Sequence, residues 1–241
     1  MPECLEHAVA NLLRPPRSAK SRVPAAHRIP LGLILLSQQQ LLPEQLSAAL
    51  DAQRLAGTGK IGYWLQRMEF ITEPQLTSAL ARQWSCPVLR SGPTVLALHR
   101  VPEIPMLLLE SLRMIPVHFV EATATLHVAF AEGIDHSVLY TIEQMLDCRT
   151  APCLVGATVL EQSLLALLEH RGRCEVVFDR VADLAEFARV LRSYAHRLLA
   201  SGIRMAPCGS YVWLRLERSS RPPVNLLLRT PPVESFNAAS P

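Results

Sequence analysis

Aromatic residues are scarce in this chain of 241 residues: they make up 5%, whereas apolar residues of all kinds make up 49%. A core this poor in aromatics must be filled mainly by leucine, alanine and valine, and leucine and alanine are strong helix formers. Charged residues, at 19%, are too few for a disordered chain of this apolar content. The composition therefore predicts a globular, helix-rich protein, long enough for one large or two small domains.

Closely spaced cysteine pairs are lacking. No Cys-x-x-Cys pair occurs among the six cysteines, and the eight histidines show no His-Glu-x-x-His or similar spacing. Zinc sites and redox motifs require such spacing, so we predict reduced, mostly buried thiols, no metal site and no resident cofactor. The cysteines are Cys4, Cys86, Cys148, Cys153, Cys174 and Cys208.

Long apolar runs are also lacking. The longest near the start, residues 31–36, has six residues, whereas about 18–20 are needed to cross a bilayer. The N-terminus does not show a charged start followed by an apolar segment, as a secretory signal would. We therefore predict a cytoplasmic protein without membrane insertion. A net charge of +3 is too weak to indicate nucleic acid by itself.

Catalytic motifs are missing as well. The sequence has no Gly-x-Ser-x-Gly elbow, no Gly-x-Gly-x-x-Gly and no clustered carboxylates in a glycine-rich setting. Residues 57–60 imitate a phosphate-binding loop, but Arg54 replaces its first glycine and Ile61 replaces the Ser or Thr that would hold magnesium. Asp135 and His136 form either an acid–base pair or the start of a helix capped by Asp135. We predict that the protein is not an enzyme.

What the chain does contain is an internal repeat: residues 31–53 reappear, thirty positions later, as residues 61–83. Gapless coincidences at a fixed period indicate a duplicated supersecondary unit. The identical pairs are Gly32/Gly62, Leu35/Leu65, Gln45/Gln75, Leu46/Leu76, Ala49/Ala79, Leu50/Leu80 and Gln53/Gln83.

Each copy predicts a short apolar segment, a turn and a longer amphipathic helix. Pro43 fits the start of the first long helix, and Thr72 with Gln75 forms a capping box for the second. The spacing places the closing glutamines, Gln53 and Gln83, on the face of the core leucines. There they are either satisfied edge residues or ligand-facing ones.

Beyond the repeat, strands alternate with helices, which indicates a small α/β unit followed by a second one. Tyr211 and Trp213 share a strand face and are predicted to be core residues. The C-terminal arginines form either a solvated sheet face or a surface for phosphate or nucleic acid. The predicted helices are 104–111, 136–147, 158–170 and 181–200, with Gly202 just beyond the last, and the predicted strands are 113–120, 125–131, 149–155, 203–206, 211–217 and 224–229.

The duplicated motif resembles the MshEN-type domain, the N-terminal module of the assembly ATPases of bacterial type II secretion and type IV pilus systems. The likeness rests on a Leu-Gly start (Ile-Gly in the second copy), a turn and Gln-Leu-x-x-Ala-Leu-x-x-Gln in each copy, and extends over residues 29–171. In the family the two copies together cradle one molecule of cyclic di-GMP. In the ATPases a motor domain with Walker motifs follows, and this chain contains none, so a stand-alone module is expected.

The resemblance implies a set of ligand-binding positions. The family's leading Arg corresponds here to Pro30 and Lys60, and its turn glycines to Gln39 and Glu69. Arg28 and Arg54 are candidates to supply the missing guanidinium. The implied positions are Leu31, Gly32, Leu35, Leu36, Leu41, Leu46, Leu50 and Gln53 in the first copy, and Lys60, Ile61, Gly62, Leu65, Ile71, Leu76, Leu80 and Gln83 in the second.

The sequence therefore predicts an α+β protein that acts as a non-enzymatic regulatory or adaptor protein, docking on a protein of a secretion or pilus system. The alternative is a receptor that binds cyclic di-GMP across the two repeats. The predicted divisions are a disordered basic leader (1–28), a tandem helical repeat (29–84), a small α/β subdomain (85–172), a C-terminal helix with strands (173–230) and a disordered tail (231–241).

Overall fold

The structure, a computed structural model, describes residues 28–89, 104–171, 175–179 and 184–229. The predicted tail lies outside the described residues, as does the predicted leader except for Arg28. The described residues form eight α-helices and two sheets of mixed strand direction, so the predicted α+β class is confirmed. The division into subdomains stays a prediction.

Both copies of the repeat fold as a short helix, a turn and a long helix. The turn and the long helix were predicted, and the short apolar segment of each copy is the short helix. The helices are α1 (Leu31–Ser37) and α2 (Pro43–Ala56) in the first copy, and α3 (Ile61–Arg67) and α4 (Glu73–Trp84) in the second. Thr72 donates its backbone N–H to Gln75 Oε1 over 2.8 Å, which is the side-chain half of the predicted capping box.

The repeat glycines are explained by close packing within each copy. A Cβ at Gly32 would lie 2.8 Å from Leu46 Cδ1, and one at Gly62 would lie 2.9 Å from Leu76 Cδ1. Each short helix therefore lies against the leucine that follows fourteen positions later in its own copy. The identical spacing shows that the duplication preserves packing as well as sequence.

The helices of the two copies also pack against each other. The long helix α4 packs on α1, and α2 packs on α3, so each long helix contacts the short helix of the other copy. The closing glutamines also form hydrogen bonds to the residues that precede the other copy. Gln53 Nε2 donates to the carbonyl oxygen of Gly59 (2.7 Å), and Gln83 Nε2 donates to that of Ile29 (2.8 Å). The repeat is therefore one pseudo-symmetric unit with a shared core.

The first sheet follows the repeat. Strand β2 (Thr125–Phe130) lies in the middle, antiparallel to β1 and parallel to β3. The parallel pair requires a crossover, which α6 supplies. The remaining elements of this part are α5 (Met106–Ser111), β1 (Met114–Val120), a 3₁₀ turn (Glu121–Thr123), α6 (His136–Leu146), β3 (Arg149–Leu154) and α7 (Ala157–Arg171).

The second sheet has the order β4-β7-β6-β5, with β4 parallel to β7 and the other pairs antiparallel. Its elements are β4 (Val176–Phe178), α8 (Leu184–Arg197), β5 (Gly202–Cys208), β6 (Tyr211–Arg218) and β7 (Arg221–Arg229).

Three details of the second sheet differ from the sequence prediction. The three-residue strand β4 was not predicted, because so short a segment shows no alternation. Gly202 was expected just past the helix, but it begins β5, and Leu199 takes the left-handed conformation after α8 with φ of 50°. The predicted strand 224–229 begins earlier in the structure, so that Pro222 and Pro223 lie in β7.

The second sheet buries both faces. Helix α8 covers one face, where Phe187 and Leu191 contact Val212, Leu214 and other strand residues. The opposite face joins the core of the preceding elements through Tyr211 and Trp213, so their prediction as core residues is confirmed. Trp213 is fully buried and donates its indole N–H to Asn225 Oδ1 over 2.9 Å. A buried indole N–H needs such a partner.

Candidate functional site

A cleft of about 930 Å³ opens beside the second copy of the repeat. This volume lies within the range of small-molecule and peptide-anchor pockets. Helices α3 and α4, the start of α1 and the segment after β2 form its walls. The lining residues are Pro30, Leu31, Gly59, Lys60, Ile61, Gly62, Tyr63, Gln66, Glu73, Leu76, Thr77, Leu80, Gln83, Trp84, Ala131, Glu132, Gly133 and Ala157.

Close contacts join both ends of α4, the long helix of the second copy, to segments that follow strands of the first sheet. Glu73, its first residue, accepts hydrogen bonds from Thr158 N (2.8 Å) and Thr158 Oγ1 (2.7 Å) at the start of α7. At its other end Trp84 lies on Gly133, where a Cβ would be only 3.0 Å from the indole Cζ2. The cleft is therefore held open by contacts at both ends of one helix.

An ion pair crosses the cleft. Lys60 Nζ lies 2.8 Å from Glu132 Oε2, and the two side chains remain 72% and 53% exposed. The hydrogen bond from Lys60 lowers the pKa of the Glu132 carboxyl below its ordinary value, against the opposing effect of partial burial. The other charged lining residue is Glu73, so the cleft wall carries one cation and two carboxylates.

A second cation lies at the edge of the cleft. The guanidinium carbon of Arg28 lies 3.4 Å from the centroid of a Trp84 ring, a cation–π contact. Arg54, the other arginine considered from the sequence, pairs instead with Asp51 over 3.0 Å on the exposed face of α2. Only Arg28 of these two is therefore in contact with a cleft residue.

The cleft collects less than half of the positions that the resemblance implies. The seven that line it are Leu31, Lys60, Ile61, Gly62, Leu76, Leu80 and Gln83. The nine that do not line it are Gly32, Leu35, Leu36, Leu41, Leu46, Leu50, Gln53, Leu65 and Ile71. Leu35 and Leu65 have no exposed surface. The leucine pattern thus builds the core of the pseudo-symmetric unit, and the ligand-binding set stays a prediction.

Sequence reasoning missed several cleft residues. Trp84 and Tyr63 are single aromatics without a motif, and Glu132 lies 72 positions from the lysine it pairs with. Gly133 lies within residues 29–171, the span of the resemblance, and belongs to no motif of its own. Its position directly after an apolar strand was a usable signal, because glycine there allows another side chain to approach the backbone closely.

The segment 57–60 connects two helices and does not form a phosphate-binding loop. Gly57 ends α2 in the left-handed conformation with φ of 67°. The Thr58 carbonyl accepts from Trp64 Nε1 (3.0 Å), and the Gly59 carbonyl accepts from Gln53. The carbonyls are thus held by side chains of the repeat, as expected for a structural linker.

Asp135 caps helix α6. Its Oδ1 accepts from the backbone N–H groups of Ser137 (2.9 Å) and Val138 (3.3 Å), so the capping interpretation is confirmed. Within the described ranges no three His, Cys, Asp or Glu side chains gather to hold a metal ion. Every helix there is also too short or too polar to cross a bilayer.

The solved structures similar to this chain include MshE and the N-terminal domain of XpsE. A structure of MshE "with cdg" shares 25% identity, covers 58% of this chain and 99% of its own, and has a TM-score of 0.49. A structure of the XpsE N-terminal domain shares 14% identity over 56% of this chain and 92% of its own, at a TM-score of 0.44. Another crystal form of that domain (I4122) shares 17% over 62% and 96%, at 0.35.

No family profile and no curated protein matches the sequence. The similar structures are of the module that the duplicated motif resembles, so the predicted resemblance is confirmed as a likeness. The chain is similar to MshE and to the N-terminal domain of XpsE over rather more than half of its length.

Proposed function

We propose that this protein is a non-enzymatic regulatory adaptor, and that the cleft beside the second repeat receives an apolar side chain of a protein partner from a secretion or pilus system. Support comes from the resemblance of the repeat to the secretion-ATPase module and from the chemistry of the cleft. The observation that carries the proposal is the Lys60–Glu132 ion pair.

The ion pair neutralises the cation at the position of the family's leading arginine. Glu73 adds a further negative charge to the wall. A dianionic dinucleotide would have to displace Glu132 from Lys60 and would meet repulsion from both carboxylates. The charged side chains that line the cleft, one lysine and two carboxylates, therefore disfavour a phosphodiester ligand.

The remaining wall suits an apolar anchor. Leu31, Ile61, Leu76 and Leu80 form a large part of it, and Tyr63 stands at the opening with 52% of its surface exposed. Protein interfaces are anchored by side chains buried in pockets of this kind, with aromatic residues enriched at the contact. A leucine or phenylalanine of a partner would contact these side chains without disturbing the ion pair.

Photo-crosslinking in cells tests the docking proposal. A benzoyl-phenylalanine replaces Tyr63 in the full chain, and Tyr140, which is 62% exposed on α6 and does not line the cleft, is replaced as the matched control. We expect a crosslink to a secretion or pilus component from position 63 and none from position 140. Crosslinks of equal yield at both positions, or none at position 63, would contradict the proposal.

A second candidate, a receptor for cyclic di-GMP, is favoured by one observation. Arg28 stacks on Trp84 at the edge of the cleft, and a guanidinium can stack on guanine and form two hydrogen bonds to a phosphate. MshE, one of the similar structures, was solved with this dinucleotide. Arg28 could thus replace the arginine that Pro30 and Lys60 do not provide. Calorimetric titration of the wild type and of Arg28→Ala separates the two candidates.

A further inference from the structure

The charge of the chain is strongly uneven. Residues 184–229 contain eight arginines and two glutamates, a formal charge of +6. The other 16 basic and 19 acidic residues leave the rest of the chain at −3. Such asymmetry within one chain is typical of a surface that binds a polyanion.

The strand register and the end of α8 bring four of these eight arginines to one end of the second sheet. Gly202 pairs with Glu217, and Arg218 pairs with Arg221 across the turn between β6 and β7. Helix α8 ends at the same place, because Ser201, four residues beyond it, donates its N–H to the Glu217 carbonyl over 2.9 Å. We call this end the arginine tip, formed by Arg197, Leu199, Ile203, Arg204, Arg218 and Arg221.

Among the described residues, the carboxylate that pairs with arginines at this end is that of Glu217. Glu217 accepts from Arg215 Nε at 2.9 Å and lies 4.0 Å from Arg204 Nε. Among the described residues no carboxylate forms an ion pair with Arg197, Arg218 or Arg221. The excess positive charge of the tip is therefore not balanced within this part of the chain.

Apolar side chains project from the same end. Leu199, in the turn after α8, is 82% exposed, and Ile203, four residues later, is 39% exposed. The conformation of Leu199, with φ of 50°, would suit glycine better, so neither burial nor backbone geometry explains a leucine there. An exposed leucine beside arginines whose positive charge is not balanced by carboxylates suits a partner that is both anionic and apolar.

We propose that the arginine tip docks on an anionic membrane surface. Arginines bind lipid phosphates, and an apolar side chain at a protruding turn can enter the boundary of the acyl chains. Nucleic acid is the weaker alternative. Single strands are bound by stacking on exposed aromatics, and a duplex backbone offers phosphates to the arginines but no apolar surface to the exposed leucine. The aromatic side chain closest in sequence to the tip, Tyr194, is half-buried and already contacts Arg197 and Phe178.

Vesicle flotation of the full chain tests this proposal. The vesicles are phosphatidylcholine alone or with about 30% phosphatidylglycerol, a typical anionic content. We expect binding only to the anionic vesicles, and weaker binding as salt rises. Equal binding to both vesicles, or no binding to either, would overturn the proposal.

Paired variants locate the contact. Arg197→Gln with Arg221→Gln should lower the partition coefficient roughly 25-fold, about fivefold for each arginine near the surface. The matched control, Arg189→Gln with Arg229→Gln, removes the same charge away from the tip, at an exposed position within α8 and at the far end of β7. Equal losses in both double variants would show a diffuse charge effect and would overturn the assignment to the tip.

Leu199→Gly separates lipid from nucleic acid. It removes the exposed side chain while suiting the backbone, and should lower vesicle binding about tenfold. Leu55→Ala, at a leucine that is 91% exposed on α2, is the control and should bind as the wild type. Binding to duplex DNA that exceeds vesicle binding and is unchanged in Leu199→Gly would overturn the membrane proposal in favour of a nucleic-acid surface.

Discussion

The side-chain amide of Gln83 donates a hydrogen bond to the carbonyl oxygen of Ile29, 2.8 Å away and 54 positions earlier in the chain. Its counterpart Gln53 makes the equivalent bond to Gly59. Each glutamine lies in the last turn of the long helix of one copy. It donates a hydrogen bond to the backbone carbonyl two positions before the short helix of the other copy. The thirty-residue period of the repeat thus places both glutamines where they can bond to the other copy.

Gln83→Ala should lower the free energy of unfolding by about 1 kcal/mol, because an intramolecular hydrogen bond is lost and the carbonyl of Ile29 loses its side-chain partner. Gln53→Ala should lower it by a similar amount. Urea denaturation measures both. Gln66→Ala is the control, since Gln66 lines the cleft without forming such a bond among the described residues. Unchanged stability in both variants would contradict a structural role for the glutamines.

The turn positions Gln39 and Glu69 should prefer glycine. Both adopt the left-handed conformation, with φ of 57° and 58°. A side chain in this region is strained, so Gln39→Gly should raise the free energy of unfolding by about 1 kcal/mol, as should Glu69→Gly. Thermal and urea unfolding measure the gain. Gln40→Gly, next in the chain and without a positive φ, should instead be neutral or destabilising, and a gain there would contradict the explanation.

The ion pair in the cleft should make a small contribution to stability that depends on pH. Lys60 lowers the pKa of Glu132. The Glu132 carboxylate therefore stabilises the folded state at pH values above 4.5, the ordinary pKa of this carboxyl group. That contribution is lost as the pH falls through the lowered value. Both side chains are largely exposed, so it should stay below about 1 kcal/mol.

Glu132→Gln tests the sign of this effect. Between pH 6 and pH 3, roughly the range that spans carboxyl titration, the variant should lose less stability than the wild type. Urea denaturation at several pH values gives the difference. A variant that loses more stability than the wild type on acidification would contradict the assigned role of the pair.

The thiols should differ in reactivity. Burial raises the pKa of Cys153 to about 11 and that of Cys208 to about 12. Thiolates are the reactive form. About a quarter of ordinary thiols are ionised at pH 8, whereas both of these should resist iodoacetamide at that pH until the protein unfolds. Cys86 and Cys148, which are only half-buried, should react first. Mass spectrometry of the peptides measures the order, and modification of Cys208 as fast as Cys148 would contradict the burial.

The sequence predicted those elements whose local signals agree with their packing. The two repeat copies have glycines, prolines and leucines at matching positions, and the structure has helices in both. Asp135 was weighed as a cap, and the structure shows it accepting two backbone N–H groups. Local rules suffice where a residue interacts with its own helix.

Contacts between residues far apart in the sequence could not be predicted from such local rules. Nothing near Gln83 indicates that its partner is Ile29, and nothing near Lys60 indicates Glu132. Strand β4 has three residues and exists because β7, fifty positions later, offers an edge. The cleft depends on such pairs, so the sequence predicted the scaffold and only part of the cleft wall.

Calorimetric titration with cyclic di-GMP tests the central claim, that the cleft receives a protein and not a phosphodiester. The Lys60–Glu132 pair and Glu73 predict no saturable heat with the wild type up to on the order of 100 µM ligand. Glu132→Gln removes the carboxylate that pairs with Lys60, so this variant should give a larger heat of cyclic di-GMP binding than the wild type. A wild-type dissociation constant below about 1 µM that is lost in Arg28→Ala would contradict the account.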